Sequence, residues 1–133
     1  MAFPGKSGAA RAGTTTKAAG DAAEDRALAH LRAHGLQLLA RNYRTPGRGG
    51  GEIDLVMREP DGTVVFVEVR GRASGAYGGA AASIGFAKQR RIVFAARHYL
   101  MRLASMPPCR FDVIAMEKEK GGVQWLRAAF DAS

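Results

Sequence analysis

Gly51-Glu52-Ile53-Asp54-Leu55-Val56-Met57, then Arg58-Glu59-Pro60-Asp61-Gly62-Thr63, then Val64-Val65-Phe66-Val67-Glu68-Val69-Arg70 is the stretch that decides the fold. Two strand-like runs flank a Pro-Asp-Gly turn signal, which reads as a β-hairpin. Strand side chains alternate, so Ile53, Leu55 and Met57 are expected on one face, with Glu52, Asp54 and Val56 on the other. In the second strand Val65, Val67 and Val69 share a face, and Val64, Phe66, Glu68 and Arg70 share the opposite one. A loop with an odd number of residues centred on Asp61 sets Asp54 opposite Glu68, with Cβ atoms about 4.5–5.5 Å apart. Like charges at that spacing repel, and a bound cation would relieve them; carboxylate oxygens suit Mg²⁺. An even loop would put the two acids on opposite faces. The plainer alternative is two solvated acids on an open strand face.

Upstream, residues 18–33 are rich in Ala and Leu and read as a helix. Glu24, Ala27, Leu28 and Leu31 follow i, i+3, i+4, i+7 and form one stripe, which places an acid on the core-facing side. If the helix begins near Ala22, Asp21-x-x-Glu24 is a capping box; if it begins at Ala18, the box fails. His30 and His34 have i, i+4 spacing but no third ligand in register, so they read as solvated rather than as a metal pair. Gly35 is a helix stop, 36–44 a strand ending in Arg41-Asn42-Tyr43-Arg44, and 45–51 a Gly-rich connection. Residues 1–17 read as a flexible basic tail, and 18–130 as a single domain.

Downstream, the Gly- and Ala-rich stretch 71–82 reads as a mobile loop beside the hairpin. A long helix is expected over 84–103, with Ile92, Ala95, Ala96, Tyr99, Leu100 and Leu103 as its apolar stripe. Lys88 and Gln89 project inward from its first turns, while Arg90, Arg91, Arg97 and Arg102 make a basic surface. Strands over 111–116 and 123–127 close the chain, with Cys109 packed at a strand start.

Lys and Arg outnumber Asp and Glu by 20 to 12, a formal charge of +8, which suits a polyanionic partner. The lone Cys109 rules out an intrachain disulfide and fits a reducing compartment, so the cytoplasm is the expected location. The N-terminus lacks the apolar run of a signal peptide, and no stretch approaches the ~20 apolar residues of a membrane span.

Glu24, Asp54 and Glu68 lie on faces able to converge, and Arg70 follows Glu68 on the same strand face. Two acids, one residue, then a cation suits metal-assisted phosphodiester hydrolysis. Acids hold Mg²⁺ or Mn²⁺, and the cation offsets charge developing on the phosphate. Glu24, Asp54 and Glu68 are then the candidate metal ligands, with Arg70 and Lys88 as catalytic cations. Arg41, Arg44, Arg72, Arg90 and Arg91 are the expected phosphate contacts around the site.

In order along the chain, Gly20 and Glu24, Arg41-Asn42-Tyr43-Arg44, Gly51-Glu52-Ile53-Asp54-Leu55, Phe66-Val67-Glu68-Val69, Lys88-Gln89-Arg90-Arg91, Arg110-Phe111-Asp112-Val113 and Ala129-Phe130 resemble the YraN-like family. That bacterial family is assigned to the restriction-endonuclease-like superfamily and likened to archaeal Holliday-junction resolvases. The resemblance implies an α/β fold with an α-β-β-β-α-β core, a central mixed sheet flanked by helices. It also implies that Glu24, Asp54 and Glu68 occupy the superfamily's acidic positions, and that a homodimer acts where symmetric junctions are cut. The family usually carries Lys where this chain has Arg70. Arginine keeps the charge but cannot act as a base. If the motif cation activates water, Lys88 is the nearest replacement.

Three readings follow. The first is a metal-dependent endonuclease acting on DNA, including branched or single-stranded forms. The second is a non-catalytic DNA-binding protein with a degenerate site. The third, association with anionic membranes, ranks low, because no basic amphipathic helix with Trp or Phe at its apolar edge is read from the sequence.

Overall fold

The computed structural model describes residues 11–72, 84–117 and 122–132. Helix α1 spans Arg11–Ala33, strand β1 Gln37–Arg44, β2 Glu52–Arg58 and β3 Val64–Arg72. Helix α2 spans Phe86–Leu100, followed by β4 over Cys109–Glu117 and β5 over Val123–Phe130. This is the expected α-β-β-β-α-β order with one further strand. The strands form a single mixed sheet in the order β1-β2-β3-β4-β5. The neighbours are antiparallel except β3 and β4, which run parallel with α2 as their crossover. Parallel neighbours cannot be joined by a tight turn, so a long connection is required there.

Helix α1 starts upstream of residue 18, where the sequence places it, and Asp21 and Glu24 therefore sit in its interior. The capping-box alternative for Glu24 is thereby excluded, since a box needs the helix to begin beside Asp21. The helix ends as its glycine indicates. Gly35 takes a φ of 92°, and the Leu36 N–H reaches back to the Leu31 carbonyl at 3.1 Å.

The hairpin loop is odd. Arg58 pairs with Val64, Met57 with Val65, Val56 with Phe66 and Leu55 with Val67, leaving five loop residues centred on Asp61. The Asp61 carboxylate accepts the Thr63 N–H at 2.9 Å, and Gly62 supplies the positive φ of 96°. The pairing ends at Leu55 and Val67, one residue short of Asp54 and Glu68.

Each face of the sheet carries one helix. Ala27, Leu28 and Leu31 of α1 pack on Leu55, Met57, Val65, Val67, Ile114 and Met116. On the other face Ile92, Ala95, Ala96, Tyr99 and Leu100 of α2 pack on Val56, Val64, Phe66 and Phe111. Fully buried side chains such as Leu31 and Phe66 contribute roughly 1.5–3 kcal/mol each. Tyr43 ties β1 to α2, its hydroxyl hydrogen-bonded to His98 Nδ1 at 2.6 Å.

Three sequence expectations change. Ile53 does not share the face of Leu55 and Met57 but packs with the α2 cluster. The switch coincides with the end of the β2–β3 ladder at Leu55 and with the left-handed Asn42 (φ 54°) on β1. Helix α2 stops at Leu100, so Leu103 falls in the following turn and is 37% exposed. Cys109 begins β4 as expected but is exposed rather than packed. Most of the glycine-rich loop at 71–82 and the first ten residues of the expected tail lie outside the described residues. Among the described residues no helix is long and apolar enough to cross a membrane.

Candidate active site

The β2–β3 ladder ends at Leu55 and Val67, and there the Asp54 carboxylate takes over from the backbone. Its Oδ2 accepts the Val69 N–H at 2.8 Å. Glu68 is 4% exposed and lies beside Asp54, close enough for the two carboxyls to hydrogen-bond. Burial is the larger cause, and the adjacent Glu68 charge the next, of an Asp54 pKa pushed up to about 7. Lys88 and the Val69 N–H pull in the opposite direction and lose.

Two cations converge on one oxygen of Glu68. Arg70 Nη1 and Lys88 Nζ each lie 3.6 Å from Glu68 Oε2. Arg70 arrives from the same strand two residues on, and Lys88 from the first turn of α2. Glu68 and Arg70 share the strand parity of Val64 and Phe66, whose cluster is covered by α2. The pair therefore faces the second helix, which supplies Lys88. Alternation fixes which residues share a face, but the path from β3 through α2 to β4 decides which helix covers it.

Glu24 feels the charge of Asp54 but has a cation of its own. Its Oε1 is bound by Arg41 Nε at 3.2 Å, and Arg41 also reaches Asp25 at 2.8 Å and the Asp21 carbonyl at 3.3 Å. Burial and the charge of Asp54 raise the Glu24 pKa, against Arg41 and an Asn42 side-chain hydrogen bond. Sequence reasoning puts three acids around one ion; the structure joins two and ties the third to Arg41. Among the described residues no group of three His, Cys, Asp or Glu side chains is placed to hold a metal ion. The donor chemistry of the pair nonetheless fits a hard divalent cation, because two buried, mutually repelling carboxylates are what such an ion relieves.

The expected phosphate contacts separate. Arg44 and Arg91 line a cleft of about 250 Å³ together with Lys88, Thr45, Gly51 and Glu52, and Lys88 is also the residue that pairs with Glu68. Arg44 also pairs with Glu52 at 3.5 Å. Arg41 is engaged with the acids of α1, and Arg90 lies off this cleft, 5.6 Å from the Phe86 ring centroid. The Arg72 side chain is outside what the structure describes. Gln89 also leaves the site, its amide donating to the Ile84 carbonyl at 3.0 Å.

Two groups escaped the sequence reading. The Thr45 hydroxyl accepts the Gly51 N–H at 2.7 Å and closes the glycine-rich loop, and the Asn42 side chain bonds Glu24. Asn42 was visible only as part of a basic strand end. Gly51 has a further role, since a Cβ there would collide with the Arg91 carbonyl oxygen and press on Ala95. Gly51→Ala should therefore cost roughly 1–3 kcal/mol by overpacking and push the start of α2, with Lys88, off the hairpin. A lower urea midpoint is the check, and an unchanged one would refute the close approach.

The core order, the mixed sheet and the carboxyl pair at the hairpin's open end define a restriction-endonuclease-like protein. The chain belongs to the Uncharacterised protein family UPF0102, whose model matches residues 23–116, and this is the YraN-like family its motifs resemble. It is 73% identical over 128 residues to a UPF0102 protein of Paracidovorax citrulli (strain AAC00-1), covering 96% of this chain and 93% of that one. A UPF0102 protein of Acidovorax sp. (strain JS42) is 66% identical over 135 residues, covering 100% of both chains. One of Cupriavidus pinatubonensis (strain JMP 134 / LMG 1197) is 63% identical over 118 residues, covering 89% of each.

Proposed function

We propose that this protein binds DNA and hydrolyses its phosphodiester bonds with Mg²⁺ or Mn²⁺ held at Asp54 and Glu68. The observation that carries the reading is the buried Asp54–Glu68 pair with Arg70 and Lys88 both on Glu68. When bound, the ion polarises the phosphate and lowers the pKa of the attacking water. Water adds to phosphorus, one P–O ester bond breaks, and the leaving oxygen takes a proton. Arg70 and Lys88 would exchange Glu68 for the phosphate oxygens as charge builds there. Arg44 and Arg91 would hold the backbone in the adjoining cleft. A second reading, a DNA-binding protein that does not cut, draws on one observation, the guanidinium at position 70, which cannot deprotonate.

Metal binding is testable without turnover. The folded chain keeps a proton on Asp54 up to about pH 7, whereas in the unfolded chain the carboxyl ionises around its ordinary value of 3.8. The stability this contributes is present at low pH and lost as pH rises through about 7. Asp54→Asn should therefore raise the Tm at pH 8 and change it little at pH 4. Mn²⁺ should raise the wild-type Tm at pH 8, much less at pH 5, and not at all in Asp54→Asn. An equal Mn²⁺ shift in both proteins would place the ion elsewhere and sink the proposal. Cleavage of single-stranded, duplex and branched DNA with and without Mn²⁺ then separates the two readings.

A further inference from the structure

The large apolar side chains exposed among the described residues are Phe86, Phe94, Met101, Leu103 and Met106, all on α2 or the turn after it. Phe86 is 69% exposed and Phe94 54%. Phe86, Arg90, Phe94, Arg97 and Met101 follow one another at helical spacing and form a single stripe on the side of α2 away from its buried residues. Along it, aromatic rings and guanidinium groups alternate. Arg90 already stacks over Phe86, at 5.6 Å from the ring centroid. Between Phe94 and the chain end runs a groove of about 390 Å³, lined by Phe86, Arg90, Val93, Phe94 and Arg97, with Asp131 and Ala132 at its far wall. Arg97 reaches the Ala132 carbonyl at 3.3 Å. None of these residues belongs to the carboxyl site.

We infer that this stripe is a stacking platform for the unpaired bases of single-stranded nucleic acid, with Phe86 and Phe94, about 12 Å apart along the helix, under bases separated by roughly two nucleotides and Arg90 and Arg97 on the intervening phosphates. The inference rests on the nucleic-acid reading above and adds to it the strand type and the surface.

Charge selects the occupant. From Val69 to Phe111 the chain has no Asp or Glu and eight cations: Arg70, Arg72, Lys88, Arg90, Arg91, Arg97, Arg102 and Arg110. That excess equals the formal net charge of +8. A second copy docked through α2 would face like charge with like. A polyanion meets the opposite sign. The interleaving selects between polyanions. A helix that lies on a membrane segregates its apolar side from its basic side. Here guanidinium groups stand inside the apolar stripe, where a strand with alternating base and phosphate finds both partners. The sequence reading saw no Phe on a basic helix face; the structure puts two there. Duplex DNA, whose bases are stacked on each other, offers nothing to these rings.

The test measures the full chain on an oligothymidylate and on a duplex with the same number of phosphates, with Mg²⁺ omitted so that no strand is cut. Each base stacked on an aromatic ring is worth roughly 5- to 150-fold in affinity. Phe86→Ala/Phe94→Ala should weaken oligothymidylate binding at least about tenfold and leave duplex binding within about twofold, with Phe94→Trp restoring much of the loss. Both rings being exposed, the fold survives the change, which the unchanged Tm would show. Equal loss on both DNAs, or no loss on either, overturns the platform while leaving the nucleic-acid reading standing. A wild type that binds neither DNA overturns both. Loss of self-association, or of binding to phosphatidylglycerol vesicles, with oligothymidylate affinity intact would instead assign the stripe to a second copy or to a lipid surface.

Discussion

Arg70→Ala is expected to lower Mn²⁺-dependent cleavage by about 10²–10³, the usual cost of losing one donor aimed at developing charge. Arg70 reaches Glu68 Oε2 at 3.6 Å, and its side chain is 32% exposed, so it is open to solvent beside the acid. If its role is to offset charge, Arg70→Lys restores the charge at the same strand position and should stay within about tenfold of wild type. Lys88 contacts the same oxygen and would retain part of the stabilisation, which is why Arg70→Ala should leave a measurable residue of activity. An unchanged rate in Arg70→Ala would remove this residue from the machinery. If the wild type is silent and Arg70→Lys cuts, the natural protein is a binder with a disabled site. If both are silent and Glu68→Ala leaves the Mn²⁺ shift in Tm unchanged, hydrolysis is the wrong reading.

Asp112→Ala should be the most damaging change to stability, at about 3–5 kcal/mol. Asp112 is wholly buried, and every donor around it is committed. Arg110 Nε reaches Oδ1 at 3.0 Å and Oδ2 at 3.2 Å, Trp125 Nε1 reaches Oδ2 at 2.9 Å, and the Ala128 N–H reaches Oδ1 at 2.9 Å. Arg110 in turn pairs with Glu59 at 2.6 Å, linking β4 to the hairpin loop. Between the pairs Phe111–Phe130 and Val113–Leu126 the β4–β5 register shifts, and the carboxylate fills the irregularity by taking the N–H of Ala128, held at a φ of 51°. Alanine would leave Arg110 to Glu59 alone and take the buried acceptor away from Trp125 Nε1 and the Ala128 N–H. For a domain of this size the Tm should fall by roughly 10–20 °C. A fall below about 3 °C would mean that water replaces the carboxylate. Arg110-Phe111-Asp112-Val113 was legible as a motif, but nothing in the string indicated that its acid is wholly buried and fills a strand irregularity.

Much of the site was legible because its geometry is local. Five loop residues and a period of two are properties of the chain itself, and together they set Asp54 against Glu68. The same holds for Lys88, one helical turn ahead of the buried Ile92. The ion pairs of Arg41 were not legible because its partners, Glu24 and Asp25, are on a helix whose docking against β1 no local pattern encodes. The aromatic stripe of α2 was passed over for a related reason: Phe86 and Phe94 fall outside the helix's apolar stripe, and only the packed structure shows how exposed they are.

What the sequence by itself determined is therefore the hairpin and its register, the stop at Gly35, and the pairing of the two acids. Those rest on backbone stereochemistry and short spacings, which act before the chain is packed. Only the tertiary structure decided that α2 rather than α1 covers the acid pair, that Glu24 answers to Arg41, that Asp112 closes a bulge, and that two phenylalanines face outward. Each depends on which surfaces meet once the β3–α2–β4 crossover has set the order of the layers. Sequence spacing says which side chains share a face; packing decides what lies opposite it.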